Sequence, residues 1–185
     1  MIKRLVVTGY KQHELGIFND KHPGIPIIKK ALKSQFEALL QEGLEWVIVS
    51  GQLGVELWAT EIVTELQNDY PNLKYAVMTP FENPHDNWND VNKEKFNQMW
   101  HRANYAVSLT KKPYEAPWQF TEKDKFLIQN SDGMLLVYDT ENEGSPKFVK
   151  KLVDRYREQH DYALLMITAD DLNLIAEEER ENEWL

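Results

Sequence analysis

Six short apolar runs, each separated from the next by a stretch whose apolar residues recur every three or four positions, confine this chain to one class of fold. The runs Arg4 to Thr8, Trp46 to Ser50, Lys74 to Met78, Tyr105 to Leu109, Met134 to Tyr138 and Ala163 to Thr168 are nearly continuous in apolar residues. That is the pattern of strands covered on both faces. Strands that alternate with helices build a parallel sheet, because a parallel return needs a crossover long enough to hold a helix.

The stretches between them supply those crossovers. Ile28, Ala31, Leu32, Phe36, Leu39 and Leu40 form one apolar face that stops at Gly43, and Val55, Trp58, Ala59, Ile62, Val63 and Leu66 form another that stops before Pro71. Phe96, Met99, Trp100 and Ala103 mark a third helix, and Trp118 to Asn130 a weaker fourth. Ser145-Pro146 reads as a cap followed by a first-turn proline, and Thr168 with Asp171 as a capping box. The acidic stretch Glu177 to Glu183 is expected to fray. The prediction is a three-layer α/β Rossmann-like domain of about six mainly parallel strands with helices on both faces. No linker, repeat or low-complexity tract divides residues 1–185, so one domain is expected.

Composition narrows the function. With 30 acidic residues against 21 Lys and Arg, the net charge is -9, and an extended polyanion would need a local basic face to offset it. The clusters Lys29-Lys30, Lys111-Lys112 and Lys147 to Lys151 are short and read as solvated surface, so no nucleic acid partner is expected. The absence of cysteine removes disulfides, thiolate zinc sites and cysteine nucleophiles together. No two of the five histidines have the spacing of a helical zinc motif, and no metal is expected. The longest apolar run, Tyr162 to Ile167, falls far short of the roughly 20 residues that span a bilayer. The start Met1 to Val7 reaches Gly9 without a leader-like apolar stretch, so a cytoplasmic location is expected.

Ligands of open parallel sheets bind at the carboxyl ends of the strands, which directs attention to the strand-to-helix junctions. These are Thr8-Gly9-Tyr10, Ser50-Gly51-Gln52-Leu53-Gly54-Val55-Glu56, Thr79-Pro80-Phe81, Thr110 to Pro113 and Asp139. The second junction carries two glycines three apart. Two alternatives stay open for it: a tight turn that needs glycine for its backbone angles, or a loop whose free N–H groups receive an anion, with Ser50 and Gln52 adding side-chain hydrogen bonds. Phe81, Trp88 and Trp118 lie among loop residues, where an aromatic either stacks on a purine or anchors its own loop. His85 and Asp86 are further candidates for ligand contact.

The junction motifs, together with Ser131-Asp132-Gly133 running into Met134 to Asp139, resemble the bacterial YpsA family over essentially the whole chain. That family belongs to the SLOG superfamily, which includes the DNA-processing protein DprA and the LONELY GUY enzymes. The resemblance implies a nucleotide-derived ligand such as ADP-ribose or NAD, and a regulatory link to bacterial cell division with protein partners. It names no certain cofactor and no reaction. The expected ligand-binding residues are Thr8, Gly9, Tyr10, Ser50, Gly51, Gln52, Gly54, Glu56, Thr79, Pro80 and Phe81. Glu56 is also the candidate catalytic residue: it is either a helix-start carboxylate stabilised by the macrodipole with no ligand, or a functional group that contacts ribose hydroxyls or acts as general base in a LONELY GUY-like hydrolysis of a nucleotide N-glycosidic bond. Against hydrolysis, the second glycine-rich motif of LONELY GUY enzymes has no counterpart after Asp139.

Overall fold

The computed structural model describes residues 1–184. Six strands, β1 (Arg4–Gly9), β2 (Trp46–Val49), β3 (Lys74–Thr79), β4 (Tyr105–Ser108), β5 (Gly133–Val137) and β6 (Ala163–Ile167), alternate with six helices. The helices are α1 (Gly24–Gln41), α2 (Val55–Leu66), α3 (Asp90–Arg102), α4 (Trp118–Gln129), α5 (Pro146–Arg157) and α6 (Ala169–Glu183). All strand pairings are parallel and the order is β4-β3-β2-β1-β5-β6. The expected three-layer Rossmann-like architecture is therefore the observed one.

Strand side chains alternate between the two faces, and the core divides accordingly. Leu5 and Val7 of β1, Val47 and Val49 of β2 and Tyr75 and Val77 of β3 join the apolar stripes of α1, α2 and α3, with Leu172 and Ile175 of α6 packed alongside. Val6, Ile48, Ala76 and Met134 point the other way, toward Leu127 and Ile128 of α4 and Val149 and Val153 of α5. Four helices thus cover one face and two cover the other.

Local signals explain the element ends. Asp132 accepts from the backbone N–H groups of Lys3 and Arg4 at 3.0 and 2.9 Å, tying the start of β1 to that of β5, so the Ser131-Asp132-Gly133 motif has a structural use. The Thr168–Asp171 capping box forms as expected. Ser145 differs from expectation: its hydroxyl donates to Glu14 rather than capping α5. The acidic end of α6 stays helical to Glu183, and Glu179 is ion-paired there with Lys30 of α1. Among the described residues, no helix is long and apolar enough to cross a membrane.

Candidate functional site

Strand order reverses between β1 and β5, which are neighbours although their following helices lie on opposite faces. The loops after them must part, and a crevice opens at the carboxyl edge. A cavity of about 600 Å³ lies there, between α4 and α5 and reaching the ends of β1 and β2. That size is within the range of small-molecule sites, roughly 300–1,000 Å³. Val6, Leu127, Met134 and Val149 give it an apolar floor. Thr8, Ser50 and Gln52 come from the strand ends, while Lys11, Lys123 and Lys151 approach from the loop after β1, from α4 and from α5. Among the described residues, neither Lys11 nor Lys151 is ion-paired with a carboxylate, and of the two only Lys11 has a carboxylate, Glu14, that responds to its charge.

Glu56 sits in the first turn of α2, is 3 % exposed and lines the cleft. Its oxygens are already engaged. The Ser50 N–H donates to it at 2.6 Å, the Ser50 hydroxyl at 3.0 Å, the Thr8 hydroxyl at 2.9 Å and the Gln52 N–H at 3.4 Å. A carboxylate satisfied by several protein donors fixes the loop that supplies them, and here it holds the end of β1 and the β2–α2 junction together. The same N–H groups are the ones an anion at this junction would use.

A second set of polar contacts closes the outer edge of the crevice. The Tyr10 hydroxyl lies 2.6 Å from the Asn142 carbonyl and accepts from the Asp139 N–H at 2.9 Å, joining the loops after β1 and β5. Glu14 accepts from the Ser145 N–H at 2.7 Å, from the Ser145 hydroxyl at 2.6 Å and from the Lys11 N–H at 2.9 Å. Burial alone would raise the Glu14 carboxyl. The Ser145 hydroxyl and the two backbone donors outweigh it and hold the group below its ordinary 4.5. A negative charge is also favourable beside the first turn of α5.

Of the expected ligand residues, Thr8, Gly9, Ser50, Gln52 and Glu56 line the cleft, while Tyr10, Gly51 and Gly54 lie outside its lining. Gly54, at φ +107°, is approached by the chain's own backbone: a Cβ there would lie 2.6 Å from the Gln12 nitrogen and 2.7 Å from the Tyr10 oxygen. Thr79, Pro80 and Phe81 close the end of β3 instead. The Thr79 hydroxyl donates to the Phe81 carbonyl and the Thr110 hydroxyl to the Pro80 carbonyl. Phe81 supports the cleft from behind, since its ring meets Phe120 edge-on at 5.4 Å and Phe120 is a lining residue. Trp88 packs edge-on against Phe96 and His85 stacks on the same ring, so both anchor their loop. Trp118 is half exposed at the start of α4 and is not part of the lining.

Sequence reasoning did not find Lys11, Lys123, Asp124 or Phe148, and it read Lys151, within the Lys147 to Lys151 cluster, as solvated surface rather than cleft lining. For two of them a signal existed. Lys123 and Asp124 stand where the buried stripe of α4, continued by Leu127 and Ile128, calls for apolar residues.

Comparison with known proteins adds to this geometry. The family model YpsA, described as the YspA SLOG family, matches residues 5–172. A UPF0398 protein of Lysinibacillus sphaericus is 60% identical over 179 residues, covering 97% of this chain and all of the relative. The UPF0398 protein YpsA of Bacillus subtilis is 49% identical over 178 residues, covering 96% of this chain and 99% of the relative. Among solved structures, DNA processing protein A from Helicobacter pylori, described for its single-stranded DNA binding mode, superposes with a TM-score of 0.53 at 15% identity. The match covers 88% of this chain, which spans 64% of that protein's length.

The last finding corrects the expectation that no nucleic acid would be bound. A protein that shares this fold binds single-stranded DNA, so the fold gives no ground for the exclusion. Its basis was the net charge of -9, which averages over the whole surface, and the shortness of each basic cluster along the sequence, which misses lysines that folding gathers. Binding responds to local charge, and the fold brings Lys11 and Lys151, distant in sequence, into one cleft.

Proposed function

The chain belongs to the YpsA family of SLOG proteins, and we propose that it is a regulatory nucleotide-binding protein whose ligand lies in the cleft between α4 and α5. One observation carries this reading. An apolar floor suited to a base stands beside Lys11 and Lys151, suited to phosphates, at the point where the strand order reverses. ADP-ribose or NAD fits the proposal as a ligand with two such ends. A cytoplasmic location and a link to bacterial cell division through protein partners are the expectations that the family resemblance supplies.

A second source of the same chemistry is a single strand of nucleic acid, which also presents bases and phosphates. The fold shared with DNA processing protein A and the lysines of the cleft favour including it. Hydrolysis of an N-glycosidic bond is less well supported. A general base needs a lone pair directed at water, and the oxygens of Glu56 are taken up by Thr8, Ser50 and Gln52.

Titration calorimetry at about 150 mM salt with ADP, ADP-ribose, NAD and an oligo-dT strand tests the proposal. Saturable binding of at least one of the first three is expected, weakened several-fold in Lys151→Ala. Binding of the strand alone, falling steeply with added salt, would assign the cleft to nucleic acid. Chromatographic release of free base or nicotinamide that stops in Glu56→Gln would restore the hydrolase reading. Failure of all four probes to bind would sink the proposal.

A further inference from the structure

Lys123 and Asp124 are adjacent on α4, and neighbours at that spacing do not face each other on a helix surface. Here they meet all the same, with the ammonium 2.7 Å from a carboxylate oxygen, because both arms bend into the same cleft. Their side chains are only 13 % and 15 % exposed. They flank the inward stripe that Leu127 and Ile128 continue as buried apolar residues. Among the described residues, neither side chain hydrogen-bonds to any other part of the protein. A shielded ion pair that lacks further hydrogen bonds is a poor substitute for apolar packing, so core formation alone does not account for it.

The pair is neutral as a unit, and it leaves one carboxylate oxygen and spare ammonium protons without a protein partner in residues that line the cavity. Phosphate is repelled by the carboxylate and is better served by Lys11 and Lys151, which are unpaired. The base is better served by the apolar floor. What remains of a nucleotide is its sugar, and each hydroxyl of a vicinal diol both donates and accepts. A carboxylate can accept from one hydroxyl while the ammonium donates to its neighbour.

We propose that the Lys123–Asp124 pair reads the ribose diol and makes the cleft select ribonucleotides over 2′-deoxyribonucleotides, with Asp124 the specificity-determining residue. This rests on the nucleotide reading of the cleft. A 2′-deoxy sugar keeps only its 3′ hydroxyl, so one of the two groups of the pair is stripped of water with no partner in its place, and sites built to bond a hydroxyl reject analogues that lack it far more strongly than apolar pockets reject a missing methylene.

The test compares dissociation constants of ADP and 2′-deoxy-ADP, by calorimetry at one salt concentration, for wild type, Asp124→Ala and Asp124→Asn, with circular dichroism confirming the fold. Wild type should bind ADP about 10-fold or more tightly than 2′-deoxy-ADP. In Asp124→Ala the ratio should fall to about one, with 2′-deoxy-ADP held at least as tightly as before. Asp124→Asn, which keeps the shape and an acceptor, should fall between them and serves as the test if the alanine variant does not fold. Equal affinity of wild type for the two sugars, or an undiminished preference in a folded variant, overturns the assignment while leaving the nucleotide reading in place. Binding of neither probe overturns the assignment, and the nucleotide reading falls with it only if ADP-ribose and NAD also fail to bind.

Discussion

On one side of the sheet α1, α2, α3 and α6 pack over the strands, and Leu32, Phe36 and Val63 are fully buried. On the other, α4 and α5 alone serve the same six strands, and Phe120, Phe126 and Phe148 stay exposed. The difference follows from the helices' sequences. The stripe of α1 is uninterrupted, from Ile25 through Leu39 at steps of three and four, so it closes on the sheet and excludes water. The stripe of α4 is broken by Lys123 and Asp124, which line the cleft instead of packing on the sheet. The first arrangement supplies stability; the second leaves space that a ligand can occupy.

The comparison breaks most clearly if truncation costs the same on both faces. Phe36→Ala on the four-helix face should lose about 3–5 kcal/mol, the usual cost of emptying a packed phenylalanine site, measured as a lower denaturation midpoint at unchanged slope. Gly54→Val comes next, at about 3 kcal/mol, because the position combines a left-handed φ with backbone atoms 2.6–2.7 Å from any Cβ. Urea denaturation of that variant should show the loss before any ligand is added. A variant as stable as wild type would mean that the contact of Gly54 with Tyr10 and Gln12 is not tight.

A smaller effect, at high pH, asks whether the faces unfold together. Burial pushes Tyr75 on the first face and Tyr162 on the second up to about 12, from an ordinary 10.0. In the unfolded chain both phenols ionise near 10, so the stability tied to keeping them neutral is fully present below pH 10 and is lost as pH rises through about 12. One cooperative transition in that window, seen alike by tyrosine ionisation and circular dichroism, is expected of a single folding unit. Two separate transitions would mean independent faces. The smallest stability effect belongs to Phe148→Ala. That ring is 62 % exposed, so the melting midpoint should shift by less than about 0.5 kcal/mol equivalent while nucleotide affinity falls.

How much of this was legible beforehand differs between the faces for the same reason. The strands, the helices and the three-layer order could be read because β1, β2, β3 and β5 are largely buried and α1 and α2 carry complete apolar stripes. The cleft lies between α4 and α5, whose separation depends on long-range packing, and only the charged interruption at Lys123 and Asp124 signals it locally. The glycines at 51 and 54 drew attention for the right geometric reason, a backbone that must come close to something. A sequence does not say whether that neighbour is a ligand or the chain itself, and for Gly54 it is Tyr10 to Gln12. Glu56 shows the same limit, since its bonds to Thr8 and Ser50 join residues 48 and 6 positions away.

The central claim is that the two-helix face is the binding face. Backbone amide chemical shifts followed during titration with ADP test it residue by residue. The account predicts shifts clustered at Thr8 to Lys11, along α4 from Phe120 to Leu127 and along α5 from Ser145 to Leu152, with α1 and α6 unmoved. Shifts confined to α1, α2 or α6, or no shifts at saturating ADP, would contradict it.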